Sequence, residues 1–115
     1  MKIGREYRFE AAHWLPLVPD GHKCRTMHGH NYRIEVTMEG DIAVDGFVMD
    51  FAKLDRVMAP AIAILDHSVL NDTIENPTAE NICIWLYRRM IVSNCRAMTH
   101  SIKVYETDRA WAEYP

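Results

Sequence analysis

The chain has 115 residues, of which 49% are apolar and 25% charged, with a formal net charge of −3. That is enough for one domain, residues 1–115, around a sizeable core, and it is too apolar for a disordered chain. The small acidic excess speaks against nucleic acid as a partner, since a binding face leaves a basic surplus, and no apolar run approaches the length of a membrane span.

The N-terminus, Met1-Lys2-Ile3-Gly4-Arg5, lacks the apolar core of a signal peptide. The three cysteines, Cys24, Cys83 and Cys95, have no paired spacing. They argue against a disulfide framework and fit a reducing cytoplasm.

Residues 3–13 place Ile3, Tyr7, Phe9, Ala11 and His13 at odd positions, the pattern of a strand with one buried face. His13 falls on that apolar face. Residues 15–27 carry Pro16, Pro19, Asp20 and Gly21 and read as a loop that is long for a hairpin. Alternation over 30–39 (Tyr32, Ile34, Val36, Met38) marks a second strand. His28 and His30 stand at its start, two apart. On a strand both imidazoles leave one face about 6.6 Å apart, a spacing from which two nitrogens can converge on one metal ion. Two ligands do not make a tight site, so a third is expected elsewhere. Cys24, four residues before His28, is a reactive group near that pair.

Glu39-Gly40-Asp41 breaks the strand, Asp45-Gly46 is a turn signal, and Phe47-Val48-Met49 reads as a short extended piece. Asp50 suits the N-cap of a helix from Phe51 whose apolar stripe is Phe51, Leu54, Val57, Met58, Ala61, Ile62 and Leu65. Pro60 predicts a kink or early end. Leu65 to Asp72 reads as a polar connection. Asn76-Pro77-Thr78 opens a second helix, with Thr78 as N-cap and Ile82, Trp85, Leu86, Arg89 and Met90 as the buried face. Cys83 lies within this helix as a packing residue. Ser93 to Thr99 reads as a loop, with Cys95 in it. Ser101 to Tyr105 reads as a third strand ending at Glu106-Thr107-Asp108, and Ala110 to Tyr114 as a fourth. The order is ββααββ: an α+β sheet, antiparallel, with two helices on one face. Such a sheet has open edges, which closure into a barrel by several subunits would remove.

Five segments, in order, resemble a known family: Phe9-Glu10-Ala11-Ala12-His13, Cys24-x-x-x-His28-Gly29-His30-Asn31-Tyr32, Leu65-Asp66-His67, Asn76-Pro77-Thr78-Ala79-Glu80-Asn81 and Val104-Tyr105-Glu106-Thr107. Together they resemble the 6-pyruvoyltetrahydropterin synthase superfamily, which includes the 6-carboxy-tetrahydropterin synthase of the queuosine pathway. The resemblance spans nearly the whole chain. It implies the tunnelling fold (T-fold), in which three subunits close a twelve-stranded barrel and two trimers stack into a homohexamer with active sites where subunits meet.

The resemblance assigns Zn2+ to His13, His28 and His30, in agreement with the His-x-His spacing and the placement of His13. Three imidazoles leave a fourth position open, as in catalytic zinc sites. It assigns a proton relay to Cys24, Asp66 and His67, in which an imidazole polarised by a carboxylate takes the thiol proton. Glu106 matches the family's pterin anchor, because a carboxylate can accept two bonds from an amino-pyrimidinone edge. Thr78 is a further pterin contact or simply a helix cap, and Glu80 suits capping. Lys23 and Arg25, flanking Cys24, are candidates for the triphosphate. His22 is a candidate to line the site, and His100 has no partner nameable from sequence.

The implied reaction is that of a lyase. It converts 7,8-dihydroneopterin triphosphate to 6-carboxy-5,6,7,8-tetrahydropterin, acetaldehyde and triphosphate. The three-residue spacing between Cys24 and His28 and the run Val18-Pro19-Asp20-Gly21-His22-Lys23-Cys24 resemble that queuosine-pathway branch. Asn31-Tyr32 and Tyr105-Glu106-Thr107-Asp108 are equally similar to the pyruvoyl branch, which eliminates triphosphate from the same substrate. Rivals from other classes are a zinc-dependent hydrolase, which gives Cys24 no role, and a non-catalytic zinc-binding oligomeric module.

Overall fold

A computed structural model describes residues 1–91 and 98–115. Strands β1 (Lys2–His13) and β2 (His28–Glu39) form a long antiparallel pair. Helix α1 (Phe51–Leu65), a two-residue strand β3 (Ser68–Val69), helix α2 (Ala79–Ile91) and strands β4 (Met98–Thr107) and β5 (Ala110–Tyr114) follow. Among the described residues the sheet order is β3-β1-β2-β4-β5.

Period-2 patterning decides which face is covered. Phe9, Ala11 and His13 of β1, Tyr32, Ile34, Val36 and Met38 of β2, and Ile102 and Val104 of β4 are buried on one face. Leu54, Met58, Ala61 and Leu65 of α1 and Ile82, Cys83, Leu86 and Met90 of α2 close over them. Burying one such Leu fully contributes about 1.5–3 kcal/mol, so this layer dominates stability. The opposite face carries Glu6, Arg8, Arg33, Glu35, Lys103 and Glu113, joined in part by Arg8–Glu6, Arg33–Glu35 and Lys103–Glu113 ion pairs.

Several expectations change. The connection after α1 is not merely polar: Ser68–Val69 pairs in parallel with Ala11–Ala12, so the sheet has a fifth strand and is mixed. Leu70 and Ile74 are buried beside it. A strand of only two residues leaves no readable alternation, which hid it. Phe47 to Met49 is an irregular turn, held by Ala43 N donating to Phe47 O and Asp45 Oδ1 accepting from Phe47 N. Val48 and Met49 anchor it in the core, while Phe47 is exposed. Pro60 does not end α1, which continues to Leu65. Phe51 is largely exposed.

On α2, Trp85 is half-buried and Arg89 is exposed, its guanidinium stacked 3.9 Å from the Trp85 ring centroid. The buried stripe is shifted toward Cys83. β4 starts at Met98 and so includes Thr99 and His100, and it reaches Thr107. A register shift at Thr37/Met38 blurs its alternation. Cys95 and most of the Ser93–Thr99 loop lie outside the described residues. Among the described residues no helix is long and apolar enough to cross a membrane.

Candidate metal centre and active site

The β1/β2 register builds the centre. His13 lies directly opposite His28, and Ala11 opposite His30, so odd residues of β1 and even residues of β2 share a face. Three imidazoles meet there with ring centroids 4.6, 4.9 and 5.2 Å apart. One ring nitrogen from each lies within 4.8 Å of the others. His13 is fully buried, and His28 and His30 are half-buried.

Backbone carbonyls orient two of the rings. His13 Nδ1 donates to Pro77 O at 2.8 Å, and His28 Nδ1 to Thr26 O at 2.8 Å. With those protons on Nδ1, the Nε2 atoms of His13 and His28, 3.1 Å apart, each present a lone pair to the other. His30 Nε2 is buried without a hydrogen-bond partner. Burial holds His13 and His30 below the usual imidazole range, so both stay neutral. Neutral imidazoles with convergent lone pairs and an orphaned nitrogen fit a divalent cation, and a dry apolar contact would satisfy none of these atoms. Glu106, on β4 of the same face, brings Oε1 to 3.6 Å from His30 Nε2.

Asp66 and His67 form the expected pair beside the sheet edge. Asp66 Oδ1 accepts from Glu10 N at 3.0 Å and lies 2.9 Å from His67 Nδ1. The Glu10 N–H, then the His67 ring, hold this carboxyl below the usual range. His67 N donates in turn to Glu10 O at 2.6 Å, and its backbone is left-handed at φ 53°. Such a conformation in a non-glycine residue persists only where surrounding contacts impose it. With Nδ1 donating to Asp66, His67 keeps its lone pair on Nε2, which is open to solvent and 4.0 Å from Glu10 Oε2. A cleft of about 540 Å³ is lined by Glu10, Gly29, His30, Asn31 and His67. A larger one, about 1350 Å³, runs along the helices past Trp14, Asn76, Trp85 and Arg88, away from the three histidines.

Cys24 sits half-buried in a single 3₁₀ turn, Lys23–Arg25. Among the described residues no hydrogen bond joins its thiol to His67. Lys23 is exposed and makes no ion pair among the described residues. The Arg25 guanidinium is engaged with Val18 O at 2.8 Å and Asp20 at 2.9 Å, bracing its own loop. Thr78 caps α2, its Oγ1 accepting from Asn81 N at 3.3 Å.

Two histidines acquire partners that sequence did not supply. His22 Nδ1 accepts from Cys24 N at 3.1 Å, and His100 Nδ1 lies 3.0 Å from Glu39 Oε2. Cys83 is a packing residue: its thiol donates to Ala112 O and burial pushes it up to about 11. Sequence also missed the groups that orient the metal-facing strand ends. The carbonyls of Pro77 and Thr26 carry no side-chain signature. Asn71 clamps the Trp14 backbone, accepting from Trp14 N at 3.0 Å and donating to Trp14 O at 2.8 Å.

The chain as a whole is similar to known proteins. Residues 2–115 match the family model described as 6-pyruvoyl tetrahydropterin synthase. The chain is 38% identical over 120 residues to a protein of Synechocystis named 6-carboxy-5,6,7,8-tetrahydropterin synthase, covering 97% of this chain and 91% of that one. It is 40% identical over 92 residues to a dihydroneopterin monophosphate aldolase of Pyrococcus furiosus, covering 78% and 76%. The 6-pyruvoyl tetrahydropterin synthase structure from Caenorhabditis elegans superposes with a TM-score of 0.89 at 26% identity, over 99% of this chain and 94% of that one.

Proposed function

The chain belongs to the 6-pyruvoyl tetrahydropterin synthase family, and from that membership we propose that it is a zinc-dependent lyase of the carboxy branch. Its substrate would be 7,8-dihydroneopterin triphosphate, converted with water to 6-carboxy-5,6,7,8-tetrahydropterin, acetaldehyde and triphosphate. The observation that carries this is the convergence of His13, His28 and His30, the first two with their ring protons turned outward to carbonyls, beside the Glu106 carboxylate.

A zinc ion held by the three histidines would supply a Lewis acid for the substrate's side-chain hydroxyls. The chain's own residues do the rest. Glu106 accepts the amino-pyrimidinone edge of the pterin and so fixes the side chain against the histidines. Cys24 removes the proton from the carbon next to the ring, and the ring takes up the electron pair. His67 Nε2, its lone pair kept free by the Nδ1 bond to Asp66, takes the thiol proton. Because the thiol and the imidazole are not joined within one chain, the relay is completed across a subunit contact. This fits a homohexamer built as a dimer of trimers. Lys23, exposed and without an ion pair among the described residues, suits the triphosphate better than the engaged Arg25. Thr78 remains a pterin contact through whatever its capping bond leaves free.

The runner-up is triphosphate elimination that keeps a three-carbon side chain, the activity that names the Caenorhabditis elegans neighbour. Mass spectrometry of the products from the zinc-loaded protein separates them. A carboxylated pterin with acetaldehyde supports the proposal, and a pyruvoyl product moves the assignment to the runner-up. Preference for dihydroneopterin monophosphate over the triphosphate would instead align the chain with the aldolase relative. Cys24→Ala should abolish turnover with metal retained, and a normal rate in that variant would remove the base assignment.

A further inference from the structure

We propose that His22 is a positioning residue for Cys24: its Nδ1 caps the one-turn 3₁₀ helix that presents the thiol, and so sets where the base stands. The inference rests on the assignment of Cys24 as the base. Three residues of 3₁₀ helix cannot hold themselves in place, since a turn this short makes too few internal bonds to repay its ordering. Both backbone groups of Cys24 are therefore fixed from outside. Its carbonyl accepts from Leu15 N at 2.8 Å, and its N–H donates to His22 Nδ1 at 3.1 Å. Among the described residues, the His22 ring is the side chain that bonds the Cys24 backbone.

The loop is shaped to deliver that ring. His22 N donates to Pro19 O at 3.1 Å, closing a turn whose third residue, Gly21, has φ +82°, the left-handed value that a type II turn requires and glycine adopts freely. His22 then leaves the turn in an extended conformation, φ −68° and ψ 132°, with its carbonyl accepting from Arg25 N at 3.0 Å. That is the geometry of an N-cap, a position usually filled by Ser, Thr, Asp or Asn. Histidine can replace them because Nδ1 is attached to Cγ, as the Oδ1 of Asn is. The acceptor role places the ring proton on Nε2.

The stereochemistry sets the test. Zinc-loaded, full-length His22→Ala, His22→Phe and His22→Asn are compared for kcat, KM, metal content and hydrogen exchange of the Cys24 amide. Without the acceptor, kcat should fall about ten- to a hundredfold, the scale on which misplacing a reacting group acts. KM and metal content should hold, and the Cys24 amide should exchange faster. His22→Asn restores the acceptor atom and should recover kcat to within about threefold together with the amide protection. Wild-type kcat in His22→Ala, or a His22→Asn variant as slow as His22→Ala, would overturn the proposal. If Cys24→Ala retained turnover, the base assignment would fall on its own. The Cys24 amide would then still decide the cap: faster exchange in His22→Ala and Phe, with protection in Asn, supports it, and unchanged exchange rejects it.

Discussion

His13 and His28 face each other across two strands with their unprotonated nitrogens 3.1 Å apart, and His30 beside them has a buried nitrogen with no partner. Each ring alone would be an ordinary core or strand histidine. Together they could hold a metal ion, because the Pro77 and Thr26 carbonyls dictate the tautomers of two of them. His28→Ala should lower bound metal from about one ion per chain toward none, read by elemental analysis after dialysis, since two imidazoles make a weak site. A variant that keeps one ion per chain would contradict the ligand set. The two described cysteines should also part in reactivity. Burial raises the Cys83 thiol to about 11, so its thiolate is scarce until pH approaches that value. Iodoacetamide at pH 8 should label Cys24 and leave Cys83 unmodified until the fold is opened with denaturant. Rapid native labelling at Cys83 would show that the α2–β5 contact opens readily.

Helix α1 ties the covered face of the sheet to the Asp66-His67 pair at its C-terminal end. Asp50 Oδ1 accepts from Ala52 N at 2.8 Å and so caps its first turn. Asp50→Ala should lower stability by about 1 kcal/mol in urea denaturation, the usual cost of losing such a cap. An unchanged midpoint would mean that tertiary packing holds the helix end without it. At the other end, Asp66 N donates to Ile62 O at 2.8 Å, and the chain then turns through the left-handed His67 into β3. Pairing of that short strand with Ala11–Ala12 is what brings the dyad to the strand that carries His13.

The molecule measures 57 × 22 × 22 Å, a long slab with helices on one side and charged strands on the other. Among the described residues, β5 has no outer partner and β1 is covered by β3 only at Ala11–Ala12. Exposed strand edges of this length invite pairing with further copies. Closing the sheets of three chains would also enclose the Arg33, Glu35 and Lys103 face. The proposed shared active site has a sharp consequence. Oligomers of Cys24→Ala and of His67→Ala, each inactive alone, should regain activity when unfolded and refolded as a mixture, because mixed contacts pair an intact thiol with an intact imidazole. No recovery would place both residues in a site made by one chain.

Local pattern carried much of this protein. Alternation marked β1 and β2, and helical spacing with the Asp50 cap marked the start of α1 at Phe51, because those features depend on neighbours in sequence, whereas its run through Pro60 to Leu65 did not follow from them. The His-x-His spacing marked His28 and His30 as a pair able to converge, since strand geometry alone puts those two rings on one face, and the β1/β2 register is what brings His13 to them. Other features needed the folded chain. β3 exists through its pairing with β1, Arg25 is held by Val18 and Asp20, and His22 is a cap because a turn at Gly21 aims it. Two of the three clustered rings, His13 and His28, owe their tautomers to carbonyls distant or silent in sequence. Side-chain type and spacing determine which chemistry is available. Backbone acceptors, strand register and long-range contacts decide which atoms are presented, and those arise only when the chain closes on itself.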